Sequence, residues 1–345
     1  MKIAPRKSLA LLVFLIFLHG VVVIAGFVAP YDPIRQERDR PYAPPAAVHF
    51  LDAQRKFHVR PFVYGQRVRE GSFDQYEDDY ATRIPVKLFV TGASYRLLGF
   101  IPAKMHLFGG DVGTINLLGT DGYGRDLFSR ILYGGQISLL AGLLAASVSL
   151  LIGTMVGGAS GYFGGWMDAI AMRVAELCLA LPWLYFLFGV RAFLPLLVSP
   201  VKAFLIVVAT IGALGWARPA RLVRGVALSA KERDFVRAAR GFGASDSYIL
   251  RRHILPQTKS VVLTQAAILI PQFILAEVTL SFLGLGIPEP APSWGNLLSS
   301  LQQYSVLSSY WWMYLPAVAM VPFFFGYLAL ASALQEGSRA AKIVL

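Results

Sequence analysis

The sequence predicts an all-α, polytopic membrane protein with six transmembrane helices and a small, partly β external insertion. Three observations predict it. First, 56% of the 345 residues are apolar and only 15% are charged, against roughly a quarter charged in soluble domains. Second, apolar runs of bilayer length recur along the chain. Third, the charges gather in one block, 31–130, and in one loop, 218–259. The composition excludes a disordered chain. The single cysteine, Cys178, excludes a disulfide framework within the chain. The net charge of +12 is distributed as loop charge of a membrane protein rather than as a nucleic-acid footprint.

The elements follow in order. From Leu9 to Ala29 only His19 interrupts an apolar run, and a helix of about 20 residues crosses a bilayer core. Lys2, Arg6 and Lys7 precede it and place the N-terminus in the cytoplasm. A signal peptide has an apolar region of about 7–15 residues, so the length favours an uncleaved span. Residues 1–30 are read as a cytoplasmic tail and first helix. Region 31–130 holds 14 Lys/Arg and 12 Asp/Glu and is read as external. Within it, Val86–Thr91 and Tyr95–Phe100 flank Gly92-Ala93-Ser94 and read as a β-hairpin. Pro41 to Pro45 reads as extended linker. Five more spans are predicted within a transmembrane domain 131–333, near 134–160, 170–190, 201–217, 260–284 and 310–333. Arg191 and Lys202 bound the third connection. Residues 334–345 form a cytoplasmic tail.

Charge asymmetry orients these spans. The N-terminal tail carries +3, the 218–259 loop +7 and the C-terminal tail +1, together 11 of the 12 net charges. Six spans put all three on one side, which the positive-inside rule makes cytoplasmic. The nearly balanced 31–130 region is then periplasmic. The second span carries Ala141, Ala145, Ser149, Gly153, Gly157, Gly161 and Gly165 at four-residue intervals. Such a stripe lets helix backbones approach closely, so this helix is read as buried in a bundle.

The 218–259 loop is basic and helical in pattern. Phe235, Ala238, Ala239 and Phe242 fall on one face, and Arg233, Arg237 and Arg240 on the other. Gly241 and Gly243 break that helix, Ser245 caps a second, and the second ends near Leu255-Pro256. Two readings fit this pattern. One is a surface helix on anionic lipid; the other is a docking element seated in a groove of a cytoplasmic partner.

The motif Arg237-Ala238-Ala239-Arg240-Gly241-Phe242-Gly243, followed by Ile254-Leu255-Pro256, resembles the coupling-loop signature of type I ABC importer permeases. The family pattern has Glu where Arg237 stands and Ile where His253 stands. The run from Glu232, Arg233, Asp234 and Phe235 onward resembles the C-type permeases of dipeptide and oligopeptide importers. Leu118 to Arg130, with Gly119, Thr120, Asp121, Gly124, Arg125 and Asp126, resembles the family segment before the second span. Leu280 to Gly286 and Pro292 to Gly295 resemble the segment after the fifth. The resemblance is close over 117–345. Region 31–116 exceeds the family core, although Arg83 to Phe108 is similar to an extended subgroup.

The resemblance implies a transport subunit for peptides or peptide-like solutes in the inner membrane. It would pair with a second homologous permease. Two cytoplasmic ATPase subunits would receive the loop, and an external substrate-binding protein would deliver cargo. Glu232, Asp234, Phe235, Arg237, Ala238, Ala239, Gly241, Gly243, Ile254, Leu255 and Pro256 would form the coupling loop. The chain itself carries no Gly-x-x-x-x-Gly-Lys-Ser/Thr phosphate loop, no HExxH and no GxSxG. The reading is therefore a non-enzymatic permease with no cofactor and no metal. An ion-coupled secondary transporter is the alternative, which needs intramembrane ionisable residues or inverted repeats.

Some residues keep two readings. Gly119, Thr120, Asp121, Gly124, Arg125 and Asp126 either order an external gate or contact the binding protein, or else form a structural tie between spans. Glu277, in an apolar span, either faces the transport path or a partner, or reaches the outer interface. Arg173 and Glu176 are read as a pair on one helix face. Tyr310, Trp311, Trp312 and Tyr314 are read as an interfacial belt.

Overall fold

A computed structural model describes residues 3–69, 71, 75–110, 113–182, 185–186, 188–189 and 199–343. The chain divides into two compact units. One comprises Met1–Leu15, Leu139–Glu277 and Pro322–Leu345; the other comprises Ile16–Ser138 and Val278–Val321.

Four helices among the described residues are long and apolar enough to cross a membrane, not six. They are Leu127–Phe163, Pro200–Lys231, Asp246–Phe282 and Trp311–Gly337. Two predicted spans are not among these four. Helix α1 (Ile3–Val23) ends early, because Ile24 leaves helical geometry and a one-turn helix α2 (Ala25–Val28) follows. Its apolar part, Lys7–Val23, falls short of a full crossing. The chain predicted as the third span begins as α4 (Gly165–Ala180), only 16 residues long and carrying Asp168, Arg173 and Glu176. Gly164 and Gly165 both take positive φ and separate α4 from α3 (Leu127–Phe163). Residues 183, 184, 187 and 190 of that predicted span, and the connection at Arg191, lie outside the described residues.

In the first unit, α5 (Pro200–Gly215) and α6 (Ala217–Lys231) run on as one rod. The small-residue stripe of α3 faces that rod. A Cβ on Gly153 would meet Pro219, and one on Gly161 would meet Ala227, each at 2.7 Å. Ala145 and Ser149 are fully buried. Gly165 lies outside the stripe, since nothing approaches it. On α6, Arg224 donates to both carboxylate oxygens of Asp168 on α4. That hydrogen bond outweighs burial, which acts upward, and holds the Asp168 carboxyl below its ordinary value. Arg173 and Glu176 pair at 2.9 Å on the exposed side of α4.

The second unit holds a four-stranded antiparallel sheet in the order β1-β2-β3-β4, with β1 His49–Leu51, β2 Phe57–Val68, β3 Tyr76–Leu97 and β4 Ile101–Gly110. Val63, Ile84 and Ile115 form its buried core. The hairpin predicted around Gly92-Ala93-Ser94 is not there. Those residues interrupt the single long strand β3: Thr91 pairs Met105, but Tyr95 pairs Ala103. Two extra residues on β3 make an enlarged bulge, and the buried His106 ring lies against Gly92, its Nε2 2.9 Å from the Ala93 carbonyl. The actual turn is at Leu98-Gly99.

Candidate functional site

The basic loop of the first unit is built around a helix reversal. Helix α7 (Asp234–Gly241) ends with Gly243 N–H donating to Arg240 O at 3.0 Å and Ala244 N–H to Ala239 O at 3.1 Å. That pair of bonds is a Schellman motif, and it needs a left-handed residue at Gly243, whose φ is +78°. Gly241 sits inside the helix with open space around it, so no turn requires it. Ser245 then caps α8 (Asp246–Ile249), its hydroxyl accepting from Tyr248 N–H. The predicted stop at Leu255-Pro256 does not occur. A five-residue π segment, Leu250–Ile254, and a 3-10 turn, Leu255–Thr258, carry the helix on into α9 (Lys259–Phe282). The missing N–H of Pro256 falls where the hydrogen-bond pattern already changes pitch.

Val236, Ile249 and Ile254 anchor this loop to the body of the unit. Val236, 1% exposed, packs with Tyr162, Ala227, Ala230, Ile249 and Ile254, and Ala239 and Leu250 pack against that cluster. Tyr162 OH donates to Asp246 Oδ1 at 2.6 Å and accepts from Arg240 Nη2 at 3.2 Å. The inward face of α7 is thus the one that carries Val236 and Ala239. Phe235 and Ala238 point outward, and Phe242 is 93% exposed. His253 lies between the Phe235 and Tyr248 rings, at 5.9 and 5.6 Å. Glu232 and Arg237 make only a solvent-exposed contact of 3.3 Å. Ile254 is buried, Leu255 half-buried, and Pro256 and Asp234 exposed. The result is an outward aromatic face ringed by arginines on a firmly seated base. Val236 had a signal in the sequence: at i+3 from it lies Ala239, an alternative apolar register.

The 119–126 loop of the second unit is the reverse. Asp121 Oδ1 accepts from the Tyr123 and Arg125 N–H groups at 2.9 and 3.1 Å, and its Oδ2 from Arg125 Nε at 2.7 Å. Arg125 Nη1 reaches Glu289 Oε2 at 2.7 Å, and Arg130 Nη2 reaches both Glu289 oxygens at 3.0 and 3.1 Å. Arg130 also donates to Pro33 O. Thr120 accepts from Ala43 N–H and donates to Arg40 O, while Trp312 Nε1 donates to Thr120 O. Gly119 and Gly124 take positive φ, and a Cβ on Gly124 would collide with the Glu37 backbone. Thr120, Asp121, Arg125, Asp126 and Arg130 are all buried. Burial pulls the Arg125 guanidinium down, but Asp121 and Glu289 outweigh it and hold it above its ordinary value. Burial pushes the Asp126 carboxyl up to about 7, against the two bonds it accepts from Ser129. Glu289 and Arg130, the centre of this network, were not singled out as site residues from the sequence.

Glu277, which kept two readings in the sequence, is fully buried. Of the aromatic belt, Trp312 is buried and Tyr310 stacks on Tyr42 at 4.3 Å, which leaves Trp311 and Tyr314 exposed. Among the described residues no group of three or more His, Cys, Asp or Glu is arranged to hold a metal.

Four long apolar helices among the described residues and a seated basic loop define a multi-pass membrane protein. The chain belongs to the family of binding-protein-dependent transport system inner membrane components, whose model matches residues 138–339. It is 39% identical over 219 residues to the dipeptide transport system permease protein DppC of Bacillus subtilis, covering 63% of this chain and 66% of that one. It is 40% identical over 204 residues to a putative peptide permease protein of Brucella suis, covering 59% and 66%. The chain thus spans just under two-thirds of the length of these relatives. A solved structure described as an amino acid ABC transporter with histidines aligns at 19% identity and TM-score 0.43, over 61% of this chain and 94% of that one.

Proposed function

We propose that this chain is the membrane-embedded subunit of an ATP-driven importer of peptides or peptide-like solutes. Its relatives are named as dipeptide and peptide permeases, which supports that cargo class. The observation that carries the coupling role is the outward aromatic face of α7 and α8. Phe235, Phe242 and Tyr248 are exposed together while Val236 locks the same segment to α6. Exposed aromatics next to arginine are what a partner's groove engages. Two cytoplasmic ATPase chains would receive this face. Their ATP-driven closure would push it, and its base would pass the motion to the rods Pro200–Lys231 and Asp246–Phe282. A second homologous permease would complete the path, and an external binding protein would load it. The loop and both termini would be cytoplasmic, and residues 31–130 periplasmic. Because the 119–126 loop is buried, its role in this scheme is to fix the outer mouth.

The test is purification of the tagged chain from native membranes, followed by uptake in vesicles. Recovery of a second permease and two ATPases, with peptide uptake that needs ATP, is the expected result. Recovery of the chain alone after cross-linking would overturn the proposal.

A further inference from the structure

The hairpin β3–β4 continues past the body of its sheet and ends in an apolar tip. Leu98 and Phe100 are 51% and 71% exposed, and Ile101 is exposed beside them. The turn itself is unusual. Phe100 N–H donates to Leu97 O at 3.3 Å, and both central residues, Leu98 and Gly99, have positive φ, +55° and +85°. Asn-Gly is the favoured pair for such a turn, because left-handed backbone crowds a leucine side chain. A leucine at Leu98 is therefore disfavoured by the fold and unshielded by it, so its use lies outside the chain.

The surroundings identify the occupant. No Asp or Glu occurs from Tyr80 to Gly110, while Arg83, Lys87, Arg96 and Lys104 do. Arg96 and Lys104 flank the tip and are exposed. The arm is tied to the mouth of a membrane-crossing helix. His106 Nδ1 lies 2.6 Å from Ala29 O, Tyr95 lies against Gly26, and Phe89 contacts Phe27. Just before them, Val22 packs on Gly135, and Gln136 donates to Val23 O at 3.0 Å, within the first turns of α3. The apolar residues Ile16, Phe17, Val23 and Ile24 of the same segment are also exposed. The arm thus leaves the protein where the apolar zone of α3 begins, and its tip lies about three residues, or roughly 10 Å, beyond Tyr95. An apolar tip between cations at that depth matches the headgroup and upper acyl region of a phospholipid leaflet.

We propose that the Leu98-Gly99-Phe100-Ile101 tip inserts into the adjacent lipid leaflet, with Arg96 and Lys104 on its phosphates. The experiment uses the full chain with Cys178→Ser, reconstituted in phosphatidylethanolamine–phosphatidylglycerol vesicles. A nitroxide is placed through Phe100→Cys or, as reference, through Val59→Cys on the exposed part of β2. Collision with oxygen, which partitions into lipid, is compared with collision with a water-soluble nickel chelate. The expected oxygen-to-nickel ratio at position 100 is at least fivefold that at position 59. Adding Leu98→Asn, which suits the turn but not lipid, should bring the ratio down by half or more. Equal ratios at the two positions would overturn the proposal, as would a ratio unmoved by Leu98→Asn. A label at 100 shielded from both reagents would overturn it in favour of a protein contact.

Discussion

The 119–126 loop and the 232–258 loop are made of the same materials, glycines, arginines and carboxylates, and use them in opposite directions. In the first, every charge named is turned inward. Asp121, Arg125, Arg130 and Glu289 satisfy one another, and only Glu289 keeps substantial contact with solvent, at 44% exposure. In the second, Val236 and the Tyr162 bonds to Asp246 and Arg240 anchor the loop, while Phe235, Phe242, Tyr248 and Arg237 face out. Their glycines differ in the same way. Gly124 and Gly243 both take positive φ, but the Glu37 backbone crowds one and nothing lies within 4 Å of the other. A loop that buries its charges holds a shape. Under the proposed coupling role, a loop that displays its side chains over a buried base is there to be gripped.

The comparison breaks most severely at Arg130. Its guanidinium is fully buried between Asp121 and Glu289. Arg130→Ala should leave both carboxylates without it and cost about 3–5 kcal/mol. Thermal unfolding in detergent should show that loss, and an unchanged melting curve would mean the network is not structural. Next comes Gly124→Ala. Left-handed backbone costs an alanine about 1–2 kcal/mol, and displacing the Glu37 backbone adds about 1–3. A total near 3 kcal/mol should appear in the same measurement.

Much of this was legible in the residues. The four-residue stripe on α3 announced its close contact with the rod, because glycine and alanine at that spacing leave no other use for the face. Ser245 announced a helix start, since a serine before an amphipathic run satisfies an orphan N–H. The number of crossings was not legible. Apolar composition continues through Ile24, where only backbone dihedrals break the helix, and resumes past α4, which ends at Ala180. The partners of Arg125 and Arg130 were hidden too, because Glu289 lies 164 and 159 residues away. The inward face of α7 was open in the sequence, because a helix with two apolar registers offers either one to the core. The core took Val236, which leaves Phe235 and Phe242 exposed.

Gly243→Ala sharpens the contrast. Only the left-handed conformation opposes it, so the loss should be about 1 kcal/mol, well below that of Gly124→Ala. The two melting curves, compared side by side, test whether open space rather than φ separates the two glycines. Under the proposed coupling role, Gly243→Ala should also lower ATP-driven uptake, because the Schellman turn aims α7 relative to α8.

The smallest effect on folding and the clearest on function should come from Phe242→Ala. At 93% exposure the ring contributes almost nothing to the chain's own packing, so stability should stay within about 0.5 kcal/mol of the parent. An aromatic anchor in a partner's groove is worth at least about 1.4 kcal/mol, or tenfold in affinity. Titration of the ATPase subunits against the reconstituted permease should therefore show at least tenfold weaker binding with the melting curve unmoved. Val236→Ala on the same helix should do the converse first, lowering stability through the buried cluster. If Phe242→Ala lost stability instead of partner affinity, the outward face would belong to the fold, and the distinction between the two loops would collapse.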